Sequence, residues 1–275
     1  MMLKSTVLGL LFAITGLFLT GCGNDTGTGA ERSTRAQTPA VPRPDGSAQQ
    51  PLRVMLIPAE GTGEDETVAD YRPLFDAITE AFDLHFDIRV GTSYEAVVTE
   101  MIEGNIDIAY FGPLTYYQAR TAGAAEILAV GVNQGKSVYY SGIFARKNAG
   151  IRELSDLAGR SVAFGDVNST SSFNFPILMM LKADISPVKD LDTTHITGSH
   201  AGALDALLNH KVDAACASFP AFKRAIRMGE LDPFEFTPVA MSQPIPYPPL
   251  AMSVELSPSV KARLRHAFRS IHKQD

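Results

Sequence analysis

The chain has 275 residues, with 24 Lys and Arg against 30 Asp and Glu and a formal net charge of −6. An acidic chain without a basic patch is a poor partner for nucleic acid, so any anion it holds must be held by local dipoles and hydrogen bonds. Its length exceeds what one core needs and suits two lobes.

The N-terminus sets the compartment. Lys4 makes a short positive start, and Thr6 to Phe18 form an apolar stretch too short to span a bilayer, which reads as the core of a signal peptide. Leu19-Thr20-Gly21-Cys22 follows, a large apolar residue, two small ones and a cysteine, which resembles a bacterial lipobox. Residues 1–22 are therefore expected to be a lipoprotein signal peptide. Cys22 would carry the lipid that anchors the protein on the periplasmic side of the envelope. Cys216 is then the remaining cysteine, and no intrachain disulfide is expected. Residues 23–50 are Gly, Thr, Ser, Pro and Ala with scattered charge, the composition of a disordered tether with a reach of roughly 30 Å.

From Leu52 onward, strand and helix patterns alternate. Leu52 to Ile57 is an apolar run ending at Pro58, which predicts a buried strand. Asp70 to Phe82 carries Tyr71, Leu74, Phe75, Ile78 and Phe82 at helical spacing, and Phe86 to Val90 is the next strand. Ser93 or Thr92 can cap a helix that ends at Gly104, before a short strand from Ile106 to Tyr110. Such alternation predicts a mixed α/β sheet covered on both faces. The pattern then recurs: helix, Glu-Gly-Asn-Ile-Asp107-Ile-Ala in the first half, and helix, Asn-His-Lys-Val-Asp213-Ala-Ala in the second. Two lobes of like construction are implied, unless two ordinary units coincide. Val138 to Ala145 suits a strand crossing between lobes, and Phe234 to Met241 suits the return crossing. Ser161 to Phe164 and Thr193 to Ile196 read as strands, Phe173 to Ala183 as a helix, and Val260 to Ile271 as a terminal amphipathic helix. Residues 51–138 with 236–275 are expected to form one lobe, and 139–235 the other.

The chemistry concentrates where the strand ending at Phe164 runs through Gly165-Asp-Val-Asn-Ser-Thr-Ser171 into a helix. Helix starts expose unpaired N–H groups and about half a positive charge, and Ser169, Thr170 and Ser171 add hydroxyl donors there. No Lys or Arg occurs from Ser161 to Leu181, so this is either a neutral cradle for a tetrahedral oxyanion or a serine-rich helix cap. A Walker loop is excluded by the missing Gly-Lys-Ser/Thr ending. Thr197-Gly-Ser-His200 is a second strand-to-helix turn, at which His200 either donates to an anion or caps its own helix. Tyr94 and Tyr110, at a helix start and a strand end, fit either a cleft wall or a core. Asp166 either favours a protonated oxyanion over sulfate or only caps its loop. Cys216, if exposed, could engage a soft oxyanion such as arsenite. The histidines show no metal-ligand spacing and no Gly-x-Ser-x-Gly elbow occurs, so neither metal, cofactor nor catalysis is expected.

In order, Ile57-Pro58, Thr-Ser-Tyr94, Gly-x-Ile-Asp-Ile-Ala-Tyr-Phe-Gly-Pro113, Phe-Gly-Asp-x-Asn-Ser-Thr-Ser171, Thr-Gly-Ser-His200, Val-Asp-Ala214 and Pro-Ile-Pro246 resemble the substrate-binding proteins of phosphonate and phosphite ABC importers. The resemblance implies a two-lobed type II periplasmic binding fold, each lobe a mixed sheet flanked by helices, joined by two crossing strands and closing on its ligand. It implies that Ser169, Thr170, Ser171 and His200 hold the phosphonyl oxygens, with Tyr94 and Tyr110 approaching from the other lobe. Aminoalkylphosphonate binders of that family carry carboxylates where this chain has Ala217-Ser218-Phe219 and Tyr247-Pro248-Pro249. Ser218 thus becomes an expected contact, and the expected ligand is one without an amine: phosphite, methylphosphonate or phosphate. The implied partners are an ABC permease and its ATPase, with the binding protein a monomer. A sensory receptor feeding a membrane histidine kinase is the alternative.

Overall fold

A computed structural model of the chain describes residues 43–59, 63–132 and 135–273. Residues 1–42, with the expected signal peptide, Cys22 and most of the tether, lie outside them.

The first half runs β1 (Leu52–Leu56), α1 (Glu64–Phe82), β2 (Phe86–Val90), α2 (Tyr94–Glu103), β3 (Ile108–Tyr110), α3 (Pro113–Thr121) and β4 (Ala125–Val130). β5 (Val138–Tyr139) crosses to β6 (Ser141–Arg146) and β7 (Ser161–Phe164). A π-helical turn, Thr170–Asn174, leads into α4 (Phe175–Lys182), followed by β8 (Thr193–Ile196), α5 (His200–Leu208), β9 (Ala214–Ser218), α6 (Phe219–Arg227) and β10 (Phe236–Met241). The chain returns through β11 (Ile245–Pro246) to β12 (Pro249–Ser253) and ends in α7 (Pro258–Ser270).

Two five-stranded mixed sheets result, ordered β2-β1-β3-β12-β4 and β10-β6-β9-β7-β8. Read from opposite ends, they are the same sheet: three parallel strands, a strand antiparallel to them (β12 in the first sheet, β6 in the second), and an edge strand antiparallel to that one. The recurring Asp explains part of this identity. Asp107 Oδ2 accepts the N–H of Arg53 at 2.9 Å, and Asp213 Oδ2 accepts the N–H of Ser161 at 2.9 Å. Each carboxylate thus fixes the entry of the neighbouring parallel strand. Asp107 is buried and also meets the Arg53 guanidinium at 2.8 Å, which satisfies a charge that would otherwise be costly to bury.

Alternation within each strand builds a core on both faces of each sheet. Leu52, Val54 and Leu56 of β1 face α1 and α7, where Phe75, Ile78 and Leu264 are fully buried. On the opposite face α2 and α3 bury Val97, Met101 and Ala119. In the second sheet Phe144 and Ala215 pack beneath α5 and α6, while Val162, Phe164 and Met180 fill the α4 side.

Several boundaries differ from the sequence reading. α1 begins at Glu64 rather than Asp70, with three acidic residues in its first turn that complement the helix dipole and with Pro73 inside it. Phe236–Met241 pairs antiparallel with β6, so it belongs to the second sheet, and the return crossing is β11, paired with β5. Residues 43–50, expected in the tether, lie against the first sheet. Gly46 turns the chain at φ 81° and its carbonyl accepts the N–H of His85 at 2.9 Å, while Arg43 pairs with Glu255. Main-chain and ionic contacts of this kind need no large apolar residue, which is why composition misses them.

Candidate functional site

The two sheets point the C-terminal ends of their parallel strands at one another, the place where open α/β sheets bind ligands. Between them lies a cavity of about 190 Å³. The first lobe lines it with Ile57, Ala59, Tyr71, Tyr94, Tyr110, Gly112 and Pro113. The second supplies Ser169, Thr170, Ser171, His200, Ser218 and Pro220, and the crossing segments add Tyr139, Tyr247 and Pro248. Among the described residues, no Asp, Glu, Lys or Arg lines it.

Five helix starts meet at this cavity: those led by Tyr94, Pro113, Thr170, His200 and Phe219. Each carries about half a positive charge, although several of their first N–H groups are already taken: at α6 Phe219 N–H donates to Tyr140 O, Ala221 N–H to Ser218 Oγ, and Pro220 has none. Ser93 and Ser199 cap α2 and α5 by accepting from Ala96 N and Gly202 N at 3.0 and 2.9 Å, so Tyr94 and His200 occupy equivalent positions in the two lobes. The Thr170 turn is wider than an α-helix. Its first main-chain bond runs from Asn174 N–H to Ser169 O at 3.1 Å, which leaves the Thr170 and Ser171 N–H groups ahead of it.

Ser169 Oγ accepts the N–H of Ser172 at 3.1 Å and is the N-cap of this turn. Thr170 Oγ1 accepts the N–H of Leu114, from the opposite lobe, at 2.9 Å. The Ser171 carbonyl accepts Ser141 Oγ at 2.6 Å, tying the turn to the start of β6, and the Ser171 hydroxyl is hydrogen-bonded to that of Tyr139 on the crossing strand. Burial pushes the Tyr139 phenol well up, so it stays protonated. His200 Nδ1 accepts the N–H of Ser218 at 3.2 Å. That bond fixes the tautomer with the proton on Nε2, and burial pushes the imidazole down to about 4, so at neutral pH His200 is an uncharged donor. Ser218 Oγ in turn accepts Ala221 N at 3.1 Å.

The lobes are shut on each other. Besides Leu114–Thr170, His200 N–H donates to Ala59 O at 2.9 Å, Gln118 Nε2 to Asn168 Oδ1 at 3.1 Å, and Arg224 pairs with Asp70 at 2.8 Å.

Of the residues singled out in sequence, Ser169, Thr170, Ser171, His200, Tyr94, Tyr110 and Ser218 come together in the cavity wall. Asp166 does not. Its Oδ1 accepts the N–H of Asn168 at 2.7 Å, so of its two readings the structure places it as a loop cap. Cys216 lies in the core beneath the second sheet, fully buried with its thiol pushed up by burial, which removes the exposed thiol that arsenite would need. Tyr71, Tyr139 and Tyr247 were missed as wall residues. The signal was there in aggregate, since five of the chain's eight tyrosines line the cavity, but each taken singly reads as core.

The chain matches a family described as ABC transporter, phosphonate, periplasmic substrate-binding protein over residues 57–275. Phosphate-import protein PhnD of Mycolicibacterium smegmatis is 29% identical over 231 residues, which is 79% of this chain and 70% of the relative. The structure of PhnD1 from Prochlorococcus marinus in complex with methylphosphonate matches with a TM-score of 0.70 at 17% identity, covering 82% of this chain and 86% of that one. A binding protein component of an ABC phosphonate transporter from Pseudomonas aeruginosa matches with a TM-score of 0.69 at 22% identity, covering 78% and 72%. At such identities the structural likeness establishes the fold, a type II periplasmic binding protein of two mixed sheets flanked by helices.

Proposed function

Because the chain belongs to the family of periplasmic substrate-binding proteins of phosphonate ABC transporters, we propose that it captures a small phosphorus oxyanion or phosphonate without an amine and passes it to a permease and ATPase. The observation that carries this reading is the cavity wall: hydroxyls, one neutral imidazole and five helix starts, with no charged side chain among the described residues. Converging helix dipoles supply the attraction for an anion that a net charge of −6 does not. Dipoles grip without forming an ion pair, which suits a carrier that must also release. Ser169, Thr170, Ser171, His200 and Ser218 would hold the oxygens, and Tyr94 and Tyr110 would close from the first lobe. The small volume favours phosphite, phosphate or methylphosphonate, in keeping with a relative named for phosphate import and a neighbour solved with methylphosphonate. The lipobox-like Leu19 to Cys22 segment supports anchoring through Cys22 at the periplasmic face, with the protein acting as a monomer.

An ammonium buried in this cavity would find no ionic partner among the described residues and would lose several kcal/mol of hydration. Titration calorimetry is expected to show methylphosphonate binding at least about a hundredfold more tightly than 2-aminoethylphosphonate, since about 3 kcal/mol corresponds to that ratio. The reverse order would refute the amine-free reading.

A further inference from the structure

Four groups in the cradle share one feature. Ser169 Oγ accepts Ser172 N–H, Thr170 Oγ1 accepts Leu114 N–H, Ser218 Oγ accepts Ala221 N–H, and His200 Nδ1 accepts Ser218 N–H. In each case a main-chain N–H takes an acceptor position, the single one of the His200 imidazole and one of the two on each hydroxyl, and leaves the proton for a ligand. A histidine whose Nδ1 accepts must carry its proton on Nε2, and a hydroxyl that accepts from behind donates forward at least cost. Ser171 and Tyr139 add hydroxyls to the same wall.

We propose that this cradle is a donor-only site that takes its oxyanion fully deprotonated, so that the dianion of a phosphonate or phosphite is the species bound. The inference rests on the reading of the cavity as an oxyanion site and adds the charge state of its occupant. A P–OH group needs an acceptor. Among the described residues no carboxylate lines the cavity, and Asp166, the carboxylate closest in sequence to the cradle serines, accepts Asn168 N–H through Oδ1 outside the wall. To receive the ligand's proton, a cradle hydroxyl would have to aim its one remaining lone pair at that oxygen and turn its own proton off it, giving up a charge-assisted bond. A fully deprotonated oxyanion makes no such demand and offers an acceptor to every donor.

Among the described residues, the titratable side chains of the wall are Tyr71 of α1, Tyr94 of α2, Tyr110 of β3, Tyr139 of β5, Tyr247 after β11 and His200 of α5. His200 stays neutral because burial pushes it down to about 4. The pH dependence of binding therefore belongs to the ligand.

The test is the affinity of the protein for methylphosphonate and for phosphite, measured by calorimetry from about pH 5 to about pH 8. Each affinity is expected to fall about tenfold per pH unit below that ligand's own second ionisation, so the two profiles break at different pH values. A flat profile, a rise toward acid, or a break at one shared pH would overturn the donor-only inference while leaving the ligand class intact. Absence of binding by both ligands at every pH would overturn the inference and the oxyanion reading together.

Discussion

Ser169→Asp is expected to keep the fold and to bind methylphosphonate about a thousandfold more weakly. Ser169 is the N-cap of the Thr170 turn, and its Oγ accepts Ser172 N–H at 3.1 Å. Aspartate is as good an N-cap as serine, so that bond survives the exchange, and a carboxylate at a helix start is favoured by the dipole. The ligand meets the opposite situation. Two unit charges about 4 Å apart repel by about 4 kcal/mol at the effective dielectric of a protein site, which is roughly three powers of ten in affinity. Ser169→Asn, also a good N-cap and close in size to Asp, separates charge from bulk and is expected to stay within about tenfold of the wild type. Thermal melts establish the fold of both variants, and calorimetry reads the affinities. Equal binding by the Asp and Asn variants would remove Ser169 from the cradle.

The second large effect is at His200. His200→Ala removes the Nε2 proton and leaves the buried Ser218 N–H without its acceptor. A hydrogen bond to a charged oxygen contributes about 1.5–3 kcal/mol, and an orphaned buried donor costs about 1–3 kcal/mol, partly in the free protein. The affinity is expected to fall about a hundredfold. The same substitution alters the response to acid. His200 in the folded protein is held down to about 4, below its unfolded value near 6.5, so between those values the unfolded chain binds a proton that the folded one does not. The free protein therefore loses stability as pH falls from about 6.5 to about 4, by on the order of 3 kcal/mol from this group, and keeps it above that window. Denaturant melts of His200→Ala across the window are expected to lack that component. An acid response as steep as that of the wild type would mean that His200 is not the buried neutral imidazole described.

Much of the architecture was legible because it is periodic. The two Asp-bearing repeats announced two like lobes, and in the structure Asp107 and Asp213 do the same work, each bonding a main-chain N–H near the start of the neighbouring parallel strand, that of Arg53 and that of Ser161. The helix cap at Ser93 was legible because a small polar side chain before an apolar stripe has one favoured use, whereas at α5 the sequence offers His200 as the cap and the structure uses Ser199. The serine-rich turn and a helix start beside Ser171 are legible, and the structure begins the helical turn at Thr170, ahead of the apolar pattern that runs from Phe173. Ser and Thr read locally as breakers, and the wide turn is held by contacts distant in sequence, such as Ser141 with the Ser171 carbonyl. Asp166 could not be assigned from sequence because a cap and a ligand contact demand the same residue, and only direction separates them. Tyr139 and Tyr247 were hidden because they lie on crossing segments, where tertiary packing decides which way a ring faces.

A crystal structure of the protein with methylphosphonate tests the central claim most directly. The account predicts its three oxygens about 3 Å from the Ser169, Thr170 and Ser171 donors and His200 Nε2, with no cation beside them. Methylphosphonate seated elsewhere, or paired there with a Lys or Arg side chain, would contradict it.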